Sequence, residues 1–297
     1  MMKAMIVVNP SSGSEQAKEY VSQLNIRLKE QFDEIVIKET QKAGDALNFS
    51  AQASKEQFGA VFLMGGDGTV NEGINGVAKQ NYQPDIGIIP LGTINNFARV
   101  LGISMKPEEA IKQINFKHKK DVDIGKVNDQ FFVSTVSAGS IPETVQHVDE
   151  ESKETFGSLA YLLEGIKALN NDENLTYQMM LDDQDFEEEY SMVLIGLSSF
   201  VFGIETVFSF AKMDDGYFNM LCLKESTATE KIKLIPELFH DDENYSDKLS
   251  VKRFKSAELR IKNGKKMNTT VDGDKGPAFP VHLEIYPQFL TVFVPKD

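Results

Sequence analysis

Ala60-Val61-Phe62-Leu63-Met64 runs into Gly65-Gly66-Asp67-Gly68-Thr69-Val70-Asn71-Glu72, so an apolar strand-like run enters a glycine cluster that opens onto a helix-compatible stretch. At such a turn glycine permits positive φ and close backbone approach, the following amides point outward, and the positive helix end favours an anion. The pattern is that of a phosphate-binding turn. A structural turn has no need of a carboxylate among three glycines, whereas a nucleotide site uses one to hold Mg2+ or its water shell. Asp67 and Thr69 therefore set this loop apart from an ordinary glycine-rich connection.

Outward from this turn, short apolar runs at Ala4–Val8, Ile35–Ile37, Ala60–Met64 and Ile86–Ile89 alternate with longer amphipathic or polar segments. That rhythm is βαβ. It predicts an α/β fold, a doubly wound, mostly parallel sheet that binds ligands at the carboxyl ends of its strands. The loops Asn9-Pro10-Ser11-Ser12-Gly13-Ser14, Gly65–Glu72 and Pro90-Leu91-Gly92-Thr93-Ile94-Asn95-Asn96 then converge on one edge. Ser12-Gly13-Ser14-Glu15 has capping-box spacing, which places Ser12 at a helix start.

Beyond Lys126 the rhythm changes to strand-like runs joined by polar turns: Phe131–Val136, Leu175–Leu181, Ser191–Leu197, Tyr217–Leu223, Ala257–Ile261, Val281–Ile285 and Leu290–Val294. This predicts a C-terminal, mainly antiparallel β-sandwich domain, with helices at Phe156–Leu169 and Ala228–Leu238. Asp182–Asp185 reads as a hairpin tip. The boundary falls near Gly125, giving domains 1–125 and 126–297.

With 297 residues and 41% hydrophobic composition, the chain can bury a sizeable core. A net charge of −14 excludes a broad nucleic-acid-binding face, so any phosphate site is local. Lys117-His118-Lys119-Lys120 reads as a solvated helix end, with contact to acidic lipid headgroups as the alternative. The single cysteine, Cys222, excludes an internal disulfide and fits a reducing cytoplasm. The four histidines are too scattered to suggest a metal cluster. At the start, Asn9-Pro10 cuts the apolar run too short for a signal peptide, and Ser198, Ser199 and Glu205 spoil Met192–Phe210 as a membrane span.

Taken together, Asn9-Pro10-x-Ser12-Gly13, Gly65-Gly66-Asp67-Gly68-Thr69-x-Asn71-Glu72, Pro90-Leu91-Gly92-Thr93-x-Asn95 and Asp214-Asp215-Gly216 resemble the bacterial diacylglycerol kinase-like lipid kinases, in order along essentially the whole chain. The resemblance implies an N-terminal α/β nucleotide domain like those of phosphofructokinase and NAD kinase, followed by a β-rich lipid-substrate domain. It implies ATP across Asn9, Pro10, Ser11, Ser12, Gly13, Thr40, Gly66, Asp67, Gly68, Thr69, Val70, Asn71, Glu72 and Thr93, with Asp67 near a catalytic Mg2+. It further implies a structural Mg2+ on the Asp215 carboxylate and the carbonyls of Lys212 and Tyr217. The family's general base, a glutamate in an Asp-Gly-Glu run, matches Asp274 in Val271-Asp272-Gly273-Asp274. Asp123, in Val122-Asp123-Ile124-Gly125, matches an acidic position of the metal and water network. The implied activity is transfer of the γ-phosphate of ATP to a hydroxyl of diacylglycerol or a related glycerolipid, in the cytoplasm at the inner membrane face, by a peripheral protein for which an isologous homodimer is the simple prior.

Two departures matter. Relatives usually read Gly-Thr-Gly-Asn-Asp where this chain has Gly92-Thr93-Ile94-Asn95-Asn96, so Asn96 removes a carboxylate, and Asp274 is one methylene shorter than glutamate. A displacement of about 1 Å at a reacting group costs about 10²-fold in rate. These changes motivate a second reading, a nucleotide- or lipid-binding regulatory homologue with impaired catalysis. A third, NAD kinase, shares the Gly-Gly-Asp-Gly-Thr loop but fits the β-rich half less well.

Overall fold

A computed structural model describes residues 2–12, 17–139, 175–201, 204–205, 208, 210–224, 247–264 and 266–296. Gly13, Ser14, Glu15 and the helices expected at Phe156–Leu169 and Ala228–Leu238 lie outside the described residues. The chain divides into two compact units: Met1–Ile124 with Phe131–Val133 and Pro287–Asp297, and Gly125–Gln130 with Ser134–Tyr286.

In the first unit β1 (Lys3–Val8), α1 (Ala17–Leu28), β2 (Glu34–Glu39), α2 (Asp45–Lys55), β3 (Ala60–Gly65), α3 (Asp67–Ala78) and β4 (Asp85–Pro90) alternate, followed by the short helices α4 (Asn96–Val100) and α5 (Pro107–Gln113). The strands lie parallel in the order β2-β1-β3-β4. Every residue of β3 is buried, as are the last five of β1, which is why these strands read as continuous apolar runs with no alternation. β2 is the edge strand, and its Ile37 is exposed. The strand order reverses between β1 and β3, the place where open α/β sheets form a ligand crevice.

β5 (Lys119–Val127) and β6 (Gln130–Phe132) follow. Lys117-His118-Lys119-Lys120 thus lies at the entry to a strand and not at a helix end: Lys119 pairs with Asp85 at 2.5 Å and sits over the Phe293 ring. The expected strand Phe131–Val136 is broken after Phe132, because Asp272 Oδ1 accepts the amides of both Ser134 (2.9 Å) and Thr135 (2.8 Å).

The second unit contains β7 (Thr135–Gly139), β8 (Leu175–Leu181), β9 (Gln184–Tyr190), β10 (Met192–Gly196), the short pair β11 (Phe200–Val201) and β12 (Ile204–Glu205), β13 (Phe218–Leu223), β14 (Leu249–Phe254), β15 (Ser256–Ile261), β16 (Asn268–Val271) and β17 (Asp274–Ala278). β18 (Val281–Phe293) completes the described strands. One antiparallel sheet runs β14-β13-β10-β7-β16-β17, and a second joins β18, β15, β8 and β9. The alternating burial of β8 is that of a strand with one covered face. Asp182, at φ 50°, opens the two-residue turn between β8 and β9, the hairpin expected there.

β18 joins two runs that read as separate strands. Between them Gln288 adopts φ 48° and donates its amide to Asp123 Oδ1 at 2.7 Å, so a side chain, not a loop, absorbs the irregularity. The last part of β18 pairs parallel to β4 at Val292, and Phe293 stacks on Phe62 with ring centroids 5.5 Å apart. Among the described residues no helix is long and apolar enough to cross a membrane.

Candidate functional site

The parallel register puts the ends of four strands at one level. Val8 pairs with Glu39 and with Met64, and Gly65 pairs with Pro90. The loops that follow must therefore share an edge: Asn9–Ser12 after β1, Thr40 after β2, Gly66 after β3 and Leu91–Asn95 after β4. Hydrogen bonds stitch them together. Asn9 N donates to Met64 O (2.9 Å), Thr40 N to Val8 O (2.9 Å) and Leu91 N to Gly65 O (2.8 Å). Asn9 Nδ2 reaches Thr69 Oγ1 at 3.3 Å, across the point where the strand order reverses.

Asp67 begins α3, and its carboxylate clamps the neighbouring loop: Oδ2 accepts Asn95 N at 2.8 Å and Oδ1 accepts Asn96 N at 2.9 Å. One carboxylate thus fixes the β4 loop to the β3 loop, leaving further lone pairs on each oxygen. The same two loops meet back to back, since a Cβ on Gly92 would lie 2.8 Å from Gly66 Cα. Only glycine allows that approach.

Burial divides the sequence-derived residues by task. Pro10, Ser11, Gly68 and Thr93 are exposed, and Asn9, Ser12, Thr40, Gly66, Asp67, Glu72 and Asn96 are half-buried. Thr69, Val70 and Asn71 are buried, so they shape the loop from behind. Glu72 Oε1 accepts the amide of Gly44, which holds the start of α2 against α3. Ser12 lies in a single 3-10 turn, Pro10–Ser12, in which the Asn9 carboxamide accepts Ser11 N (3.1 Å) and Ser11 Oγ (2.7 Å). Asp123 is 1% exposed and lies on β5.

In the second unit, Asp272 and Gly273 form a two-residue turn with both φ values positive, at 48° and 92°, between β16 and β17. This is the mirror-image turn that suits the strand twist, and Asp-Gly is its preferred sequence. Asp274, the first residue of β17, is exposed. The Lys212–Tyr217 turn curls around Asp215, whose carboxylate accepts Lys212 N (3.1 Å) and Tyr217 N (3.0 Å) and pairs with Arg253 at 2.8 Å. The Arg253 guanidinium lies over the Tyr217 ring, 4.1 Å from its centroid. A carboxylate offers about four lone-pair sites, so these three contacts use most of its capacity. Among the described residues no group of three or more His, Cys, Asp and Glu side chains gathers as a metal site, and Arg253 already neutralises the Asp215 carboxylate.

Sequence reasoning missed Asn75. It is 4% exposed on α3, where Nδ2 donates to Phe131 O (2.8 Å) and Oδ1 accepts Phe131 N (2.9 Å), as a strand would. A polar residue on the helix face shared with Asn71 was the available signal. Arg253 left none, because its partner is distant in sequence.

The family pattern described as the diacylglycerol kinase catalytic domain matches residues 3–127, and the YegS C-terminal NAD kinase beta sandwich-like domain matches residues 134–294. A Streptococcus pneumoniae protein provisionally named a lipid kinase is 36% identical over 100% of both chains. A Staphylococcus carnosus diacylglycerol kinase is 31% identical over 99% of this chain and 96% of its own. The crystal structure of a diacylglycerol kinase from Bacillus anthracis superposes with a TM-score of 0.82 at 27% identity, covering 98% of this chain and 96% of that one.

Proposed function

This chain belongs to the diacylglycerol kinase catalytic domain family, the lipid kinases that use ATP, and on that premise we propose that it moves the γ-phosphoryl group of ATP onto a hydroxyl of diacylglycerol or a related glycerolipid. The observation that carries the reading is the single rim of loops after β1, β2, β3 and β4, clamped by Asp67 and left open at Gly68 and Thr93. Backbone amides at a helix start, with hydroxyls around them, are suited to phosphate oxygens.

In this proposal Asn9, Pro10, Ser11, Ser12, Gly13, Thr40, Gly66, Gly68 and Thr93 contact the nucleotide, while Thr69, Val70, Asn71 and Glu72 hold the loop in shape. Asp67, Asn96 and Asp123 would hold a catalytic Mg2+ at the phosphates, and Asp215 with the Lys212 and Tyr217 carbonyls would hold a structural one. When bound, the catalytic ion offsets charge on the phosphoryl oxygens. Asp274 accepts the proton of the lipid hydroxyl as its oxygen bonds to the γ-phosphorus and the bond to the β-phosphate oxygen breaks, releasing ADP. A lipid substrate implies peripheral contact with the cytoplasmic membrane face.

The test pairs purified protein and Mg2+ with labelled ATP and vesicles containing diacylglycerol. Labelled lipid is the expected product, strongly reduced by Asp274→Asn with ATP binding kept. ATP binding without any labelled lipid would favour a non-catalytic binding protein, and label appearing on NAD instead would replace the reading with an NAD kinase.

A further inference from the structure

Among the described residues β2 (Glu34–Glu39) pairs with one strand, β1, and its far edge is open. Glu34 N and Thr40 N donate to Met2 O (3.5 Å) and Val8 O (2.9 Å), so the even-numbered residues of β2 turn their backbone groups toward β1. Backbone direction alternates along a strand, which leaves the N–H and C=O of Ile35, Ile37 and Glu39 facing outward. The side chains at this edge are apolar. Ile37 is 41% exposed and Ile35 and Val36 are half-buried, while half-buried Phe49 of α2 reaches the strand, with its ring centroid 5.6 Å from Lys38 Nζ. An open apolar edge is a template for another strand, and proteins blunt such edges with charge, proline or a covering element. β9 is blunted in that way, since Asp185, Glu187, Glu188 and Glu189 would repel a second β9.

On β2 the charges have opposite signs at matched positions. Outward backbone groups must meet outward ones, so only odd-numbered residues can exchange hydrogen bonds across a two-fold axis. With the axis at Val36, Ile35 meets Ile37 of a second copy and Ile37 meets that copy's Ile35, each pair exchanging two hydrogen bonds. Glu34 then faces Lys38, Lys38 faces Glu34, and Val36 faces its own counterpart. Directly opposite residues share a face of a sheet, so every pair in this register is either apolar or of opposite charge. An axis at Ile35 would instead set Asp33 against Ile37 and Glu34 against Val36, and an axis at Ile37 would set Ile35 against Glu39 and Val36 against Lys38. Past Lys38 the strands part, because Glu39 would meet the like charge of Asp33, whose Oδ2 is already turned onto the Met2 amide at 2.7 Å.

We propose that the β2 edge is an interface with a second copy of this chain, an isologous pair in which β2 lies antiparallel to its counterpart and the two sheets join. Five residues a side make a small contact, below the ~1,200 Å2 of specific, stable interfaces, so the pair forms and dissociates with concentration. The inference goes beyond the kinase reading and does not depend on it.

The experiment is sedimentation equilibrium across the micromolar range on wild type, Glu34→Lys, Lys38→Glu and an equimolar mixture of the two variants. Wild type should show a monomer–dimer equilibrium. Either substitution alone sets two like-charge pairs across the axis and should weaken dimerisation roughly tenfold or more. The mixture recreates both opposite-charge pairs and should associate as wild type does, which separates a lost interface from a damaged fold. Wild type that stays monomeric across the range would overturn the proposal. A dimer that neither substitution weakens, or a loss that mixing does not restore, would place the contact elsewhere and overturn it equally.

Discussion

Gly68→Ala separates what the fold requires of the loop between β3 and α3 from what a ligand requires. Gly68 is the second residue of α3, is exposed, and a Cβ placed on it would meet nothing within 4 Å. It is absent from the positive-φ residues, so alanine fits its backbone without strain. In the free protein the substitution removes glycine's excess conformational freedom, worth about 0.5–1 kcal/mol in a helix. At about 2–4 °C per kcal/mol for a chain somewhat smaller than this one, the melting temperature should rise by about 1–4 °C. If phosphate oxygens pack against this turn, the added methyl intrudes on them, and overpacking of about 1–3 kcal/mol converts to roughly 5–150-fold in ATP affinity. The assay is a thermal melt beside an ATP titration of the same preparations. A variant that melts higher yet binds ATP like wild type would refute the placement of phosphate at Gly68.

Three further outcomes follow from the packing. Gly92→Ala sets its methyl 2.8 Å from Gly66 Cα, so the loops must part and loosen the Asp67 clamp; stability should fall by about 1–3 kcal/mol in urea unfolding, together with ATP affinity. Asn75→Leu deprives the buried Phe131 N–H and C=O of the bonds made to Asn75, at about 1–3 kcal/mol each, and should lower the melting temperature more than any surface substitution on α3. Burial pushes the Cys222 thiol up to about 12, so it should resist a disulfide reagent at pH 8 in the folded protein and react only as urea unfolds it; prompt labelling would show that β13 opens locally.

Where pattern and chemistry coincide, the chain announced its structure. β1, β3 and β4 are legible because strands covered on both faces must be apolar along their length, and the turn after β3 because glycines between an apolar run and a helix-compatible stretch mark a sharp strand-to-helix turn. β9 and β14 went unread because charged side chains interrupt their apolar pattern: Asp185, Glu187 and Glu189 on the exposed face of one, and Lys252 and Arg253 on the two opposite faces of the other. The break between β6 and β7 was illegible for another reason. Its cause, the Asp272 carboxylate, lies 138 residues further on.

By itself the sequence determined which loops gather glycine, hydroxyl and carboxylate groups after the parallel strands, since residue type and spacing are local properties that periodicity exposes. Only the tertiary structure decided how those residues divide their labour: that Asp67 clamps the loop after β4, that Asn75 mends the backbone of Phe131, that Arg253 pairs with Asp215, and that Asn219 is buried with nothing to bond. Hydrogen bonds between residues far apart in the chain depend on strand register and close approach, and a linear pattern records neither.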